Sequence, residues 1–208
     1  MTDSSRCAVP VSDLQLEGRF EPAESGAGAV LAPPHPLYGG LLTNPVVVAA
    51  ARGFAEVGVA TMAFNYRGTG ASQGHVTDDA GSAVEDYLGA LGALAERVPG
   101  PYLAAGYSFG SRAALTVAAT DPRVRGAVLV APPVDMVGPD DVAAFAGPLL
   151  VIVGDRDAYA PLQRLRSVLA AARPDARLEV VDGADHFFSA TGTSSIAAHV
   201  ASHVPGWL

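Results

Sequence analysis

From residue 27 onward the chain alternates between short, almost uninterrupted apolar runs and longer segments with apolar residues at helical spacing. "AGAVLAPPHP", "VATMAFNYRG", "PYLAAGYS", "VRGAVLVAPP", "GPLLVIVGD" and "ARLEVVDG" read as strands. Between or after them, "NPVVVAAARGFAEVG", "SAVEDYLGALGALAERV", "FGSRAALTVAATDP", "PLQRLRSVLAAARP" and "TSSIAAHVASHV" read as helices. Asn44 with Pro45 marks one helix start and Gly58 its end, Pro122 ends another, and Thr193 or Ser194 caps the last. Strands without polar alternation are buried on both faces. The pattern therefore predicts an α/β fold: a mostly parallel, doubly wound sheet in a three-layer α/β/α sandwich. The more polar "VSDLQLEGRFEP" reads as an antiparallel edge strand or hairpin. Residues 1–208 suit one domain, and no repeat, linker or low-complexity tract interrupts them. In such sheets chemistry collects in the loops at the carboxyl ends of the strands.

Composition narrows the function classes. Half the residues are hydrophobic and 16% are charged, so the chain is globular. A net charge of -8 speaks against nucleic acid as a partner. The longest apolar stretch is broken by Arg52 and Glu56, and no membrane span is expected. One cysteine, Cys7, rules out an internal disulfide. With no basic, apolar leader in the first twenty residues, the expected location is the cytoplasm. All 13 basic residues are arginine. Without lysine there is no Schiff base, Ser-Lys dyad or P-loop, so an activated serine would need histidine.

That serine is Ser108 in "GYSFG", at the G-x-S-x-G spacing, between a predicted strand and a predicted helix. The spacing suits a nucleophile held on a strained turn, with Gly106 and Gly110 leaving room for it. A plain tight turn in a chain of 23 glycines is the competing reading. Among five histidines, His186 in "DGADHFF" follows the last strand and is the expected base. His199 and His203 are four apart on the last helix. A solvated helix face is expected there rather than a metal site, because the glutamate of H-E-x-x-H is missing. His75 reads as a surface residue. Asp157, in "GDRDAYAP", is the expected acid, with Asp135 as its rival. Asp155 is expected to hold its own turn, and Asp182 and Asp185 to shape the histidine loop. An oxyanion needs two N–H donors. Phe109, following the serine, supplies one; "PPHPLYGG" offers Leu37 or Tyr38 for the other, with His35 supporting that loop.

Taken in order, "HPLYGG", "FNYRGTGASQG", "GYSFG", "GDRDAYAP" and "GADHFF" resemble the α/β-hydrolase superfamily, and in particular its small bacterial serine hydrolases near the dienelactone hydrolases. The resemblance spans about residues 28 to 190. It implies Ser108 as nucleophile, His186 as base, Asp157 as acid, and Leu37 and Phe109 as oxyanion donors. The dienelactone hydrolases carry cysteine at the elbow, so the serine departs from their chemistry. The Arg67 turn in "NYRGTGASQG" reads as structural, since Gln73 breaks a dinucleotide fingerprint. Only "VDMVGPDDVAAFAGP" separates two strands where many hydrolases insert a cap, so an open cleft is expected. Tyr38, Met136, Tyr159 and Phe187 are its expected lining, with Val134 and Phe188 also considered.

The expected activity is cleavage of a carboxylic ester or thioester from a small acyl substrate, by a monomer or homodimer, with no metal or organic cofactor required. Transfer of the acyl group to another acceptor, as in a transferase or cyclase, would use the same residues. A non-catalytic binding protein on the same fold is the alternative of another class, and a metal enzyme using His199 and His203 is a third.

Overall fold

The computed structural model describes residues 5–189 and 192–208. The first four residues, part of the stretch read for a leader, lie outside them. Among the described residues eight strands form one sheet. They are β1 (Ser5–Val11), β2 (Leu14–Glu21), β3 (Gly28–Ala32), β4 (Ala60–Phe64), β5 (Tyr102–Tyr107), β6 (Val124–Val130), β7 (Leu149–Gly154) and β8 (Arg177–Val181). Their order across the sheet is β1-β2-β4-β3-β5-β6-β7-β8. The first two form an antiparallel hairpin, and β2 joins β4 antiparallel. Every later pairing is parallel. The N-terminal segment is thus a hairpin whose first strand begins before the stretch that sequence singled out.

Among the described residues six α-helices cover the two faces: α1 (Pro45–Glu56), α2 (Ala80–Ala95), α3 (Phe109–Thr120), α4 (Pro139–Ala143), α5 (Leu162–Ala172) and α6 (Ser194–His203). Every residue of β3, β4, β5 and β7 is buried, as strands covered on both sides must be. Successive side chains serve opposite cores. Val30, Leu129 and Val151 meet Tyr87, Leu91, Leu115 and Leu165 on the side of α2, α3 and α5. Leu31, Val128 and Leu150 meet Val46, Phe54, Ile196 and Val200 on the side of α1 and α6. Each fully buried leucine or valine contributes about 1.5–3 kcal/mol relative to exposure.

Two of the helices are capped by side chains. The Asn44 side chain accepts from the Val46 amide at 2.9 Å, and Asp79 from Ser82 at 2.7 Å. Thr193 does stand at the cap position of α6, but its side chain makes no capping hydrogen bond. No helix among the described residues is long and apolar enough to cross a membrane.

Strand β3 lies between β4 and β5, so the chain leaves it first to one side and then to the other. The loops following β3 and β5 therefore emerge side by side at the carboxyl edge, at a topological switch point. Between β6 and β7 stands only the five-residue α4, and no cap domain.

Candidate active site

Ser108 sits between β5 and α3 with φ 53° and ψ -119°, in a region that L-residues seldom adopt. Its neighbours explain how the turn closes. A Cβ on Gly106 would collide with the Gly110 carbonyl, and one on Gly110 would stand 2.6 Å from the carbonyl oxygens of Ala32 and Pro33. Only glycine fits at either place. The Ser108 amide donates to the Val130 carbonyl at 2.9 Å, and the buried Ser111 hydroxyl donates to the Gly106 carbonyl at 3.0 Å. The turn is thereby tied to its own strand β5 and to the neighbouring β6.

The three residues expected to work together are in contact. Ser108 Oγ lies 2.9 Å from His186 Nε2, and His186 Nδ1 lies 2.8 Å from Asp157 Oδ2. They come from loops after β5, β7 and β8, far apart in sequence. The Asp157 side chain has no solvent exposure, and its other oxygen accepts from the amides of Tyr159 and Ala160, each at 2.8 Å. A buried carboxylate needs such partners to keep its charge. Asp135 has a different fate: its side chain is 80% exposed and pairs with Arg164 at 2.9 Å. Asp155, expected to hold its own turn, accepts instead from the Gly183 amide at 2.7 Å and so braces the histidine loop. Asp185 accepts from the amides of Ser189 and Phe187, and these bonds hold its carboxyl below the usual range.

One anchor of the site has no mark in the sequence. The Tyr107 hydroxyl donates to the His186 carbonyl at 3.0 Å. Burial, with the negative charges of Asp157 and Asp185, pushes this phenol well above its ordinary range, so it stays a donor. Its place inside "GYSFG" was the only available hint.

The loop after β3 begins a 3-10 turn, Pro36–Tyr38. The Tyr38 amide is spent on the His35 carbonyl at 3.1 Å. The Leu37 amide instead points at His35 Nδ1 at 3.3 Å. Phe109 opens α3, where an amide has no acceptor within its own helix. The Phe109 ring packs 4.8 Å from the His35 ring and 5.6 Å from that of Tyr66, so His35 supports this loop through both ring and nitrogen.

Tyr159 and Phe187 stand 4.7 Å and 5.3 Å from the His186 ring, and Tyr38 is 4.7 Å from His35. All three are largely exposed, so they form a rim rather than a pocket wall. Phe188 turns inward and is buried in the core, as is Val134. Met136, expected in the lining, is half-buried against the core cluster of Val134 and Val137 instead. The Arg67 turn is structural: its guanidinium and amide all bind Asp86, at 2.7–2.9 Å. His75 is exposed. His199 and His203 depart from expectation. They are half-buried, and both face Glu179 of β8, at 3.5 Å and 2.8 Å. Among the described residues no group of three or more His, Cys, Asp or Glu side chains is arranged to hold a metal ion.

Comparison with known proteins agrees with this fold. A family model described as an alpha/beta hydrolase domain matches residues 39–203. An uncharacterized protein of Rickettsia prowazekii, RP471, is 29% identical over 186 residues, which cover 84% of this chain and 78% of that protein. An alpha-beta serine hydrolase homologue from Coxiella burnetii superposes with a TM-score of 0.85 at 28% identity, covering 98% of each chain. A Xanthomonas campestris serine hydrolase described as lacking a lid superposes equally well, at 24% identity, covering 100% of this chain and 96% of its own. A dienelactone hydrolase from Anabaena variabilis follows with a TM-score of 0.81 at 20% identity, covering 100% and 99%. These last two bear on the fold alone. With an alpha/beta hydrolase model matching most of its length and a lidless sheet of the same form, the chain belongs to the alpha/beta hydrolase family.

Proposed function

We propose that this hydrolase cleaves a carboxylic ester or thioester through an acyl-enzyme on Ser108. The observation that carries the reading is the hydrogen-bonded run from Ser108 Oγ through His186 to a buried Asp157, at 2.9 Å and 2.8 Å. Ser108 Oγ attacks the carbonyl carbon while its proton passes to His186 Nε2. The carbonyl oxygen takes up the negative charge and is met by the N–H of Phe109 and by that of Leu37, which gives up its 3.3 Å bond to His35 Nδ1 for the oxyanion. The carbon–oxygen or carbon–sulfur bond then breaks. The leaving group takes the proton from His186, and the acyl group stays on Ser108. Water, losing a proton to Nε2, attacks the acyl-enzyme. The acid departs, and Ser108 recovers its proton. Asp157 holds the tautomer with hydrogen on Nδ1 and stabilises the imidazolium.

The test is labelling by a fluorophosphonate together with turnover of short p-nitrophenyl esters. Wild type reacts with both, and Ser108→Ala with neither. Asp157→Asn turns an amide N–H toward Nδ1, which favours the wrong tautomer, and lowers kcat about 10²- to 10⁴-fold. Asp135→Asn, at an exposed ion pair, changes it less than about threefold. Labelling that survives Ser108→Ala, or a larger loss in Asp135→Asn, would overturn the assignment.

A further inference from the structure

Helices α2 and α3 both follow strands, so their N-terminal turns lie at the same sheet edge as Ser108. A groove of about 340 Å³ opens between them. Ala80, Gly81 and Val84 form one wall; Phe109, Ala113 and Thr116 form the other. These α3 residues share one helix face. Ser108 is not itself in the lining, but Phe109 is and directly follows it in the chain, so this end of the groove lies beside the nucleophile, one Cα–Cα step of about 3.8 Å away. Arg112 lines it as well, about 4.5 Å along the helix axis from Phe109. The Arg112 guanidinium is exposed and has no ion-pair partner among the described residues. Asp79 stands at the start of α2, but its carboxylate is tied to the Ser82 amide at 2.7 Å. Arg112 is therefore the charge offered to a ligand, close to the positive end of α3.

The direction of the groove identifies which part of the substrate enters it. His186 must protonate the leaving group, and it approaches Ser108 from the side of β7 and β8. Helix α2 lies on the opposite side, crossing from β4 over β3 to β5. The groove is on the acyl side. Its small residues leave a slot for an unbranched chain, and its volume is at the low end for small-molecule sites.

We infer that this groove holds the acyl chain of the substrate and that Arg112 pairs with an anionic group at its far end. The substrate class is then a half-ester or half-thioester of a short dicarboxylic acid. This rests on the acyl-enzyme reading above, and the experiment separates the two. Hydrolysis of monomethyl adipate and of methyl hexanoate is followed in a pH-stat; the two differ at the chain end. Protection of Ser108 from a fluorophosphonate by adipate and by hexanoate is measured alongside, which requires no turnover.

Wild type is expected to favour the half-ester, chiefly through KM, and adipate to protect better than hexanoate. Arg112→Gln lowers both preferences about tenfold, as loss of a charge-assisted contact does, and Arg112→Lys restores part of them. Arg166→Gln, an exposed arginine on α5, leaves the preferences as in wild type. Equal preferences in wild type and Arg112→Gln, or an equal fall in Arg166→Gln, overturn the subsite while labelling of Ser108 upholds the hydrolase. Failure of labelling and of both hydrolyses overturns the hydrolase reading, and the subsite with it.

Discussion

Two carboxylates among the described residues, Asp157 and Asp86, are buried, and each is stabilised by a different set of neighbours. Asp157 is held by two backbone amides and an imidazole. Asp86 has no exposure and receives the amide, Nε and a terminal nitrogen of Arg67. Taking either charge out of water is costly, and removing one partner of a buried pair leaves the other uncompensated. Asp86→Ala would leave the Arg67 guanidinium paired with Glu85, whose side chain lies mostly in solvent. The expected cost is about 3–5 kcal/mol of unfolding free energy, read from urea denaturation. Asp135→Ala at the exposed Arg164 pair should cost less than about 0.5 kcal/mol. A small loss in Asp86→Ala would mean that the Arg67 turn is not held by this pair. The comparison also shows what sequence leaves open. Asp157 and Asp135 each follow a strand and look alike on paper. Only the packing of the loops after β7 and β8 makes one a partner of His186 and the other a surface charge.

Of the three glycines within α2, Gly89 and Gly92 lie in the helix interior and look equally unfavourable by helix propensity, yet they stand in different surroundings. A Cβ on Gly89 would strike the Val11 side chain and lie 2.8 Å from the Pro10 carbonyl, so this glycine lets the edge hairpin pack onto the helix. A Cβ on Gly92 would meet nothing within 4 Å. Gly92→Ala is therefore expected to stabilise by about 0.5–1 kcal/mol, the ordinary helix gain. Gly89→Ala should destabilise by about 1–3 kcal/mol through overpacking. Thermal denaturation of the pair decides it: a gain in both would show that β1 yields easily. Elements of this kind were legible because their signals are local. Asn44 before Pro45 caps α1, and the apolar runs of β3, β4, β5 and β7 are buried on both faces. The reason for Gly89 lies far away in sequence, at Pro10 and Val11, and no window of residues around it reveals that. The Tyr107 hydroxyl reaching the His186 carbonyl is another contact of the same kind.

The whole molecule brings together loops after β3, β5, β7 and β8 because β3 is threaded between β4 and β5. The alternation of strand and helix told which segments would form the sheet, and the order of the motifs which loops would meet. The register that sets Ser108 against His186 is a property of the assembled sheet. What the sheet lacks is a cover. Where a cap would stand there is only α4, and the rim residues Tyr38, Tyr159 and Phe187 are 87%, 59% and 61% exposed. A site without a lid has no closing or opening step to limit turnover. If Ser108 is the nucleophile, its rate should follow the concentration of accessible ester and nothing else about the phase that carries it. With p-nitrophenyl esters of increasing chain length, the rate should rise smoothly to saturation below the critical micelle concentration. It should show no step when that concentration is crossed. A jump of about tenfold or more at the crossing would reveal a segment that covers Ser108 in water and moves aside at an interface. The short β6–β7 connection and the open rim argue against such a segment.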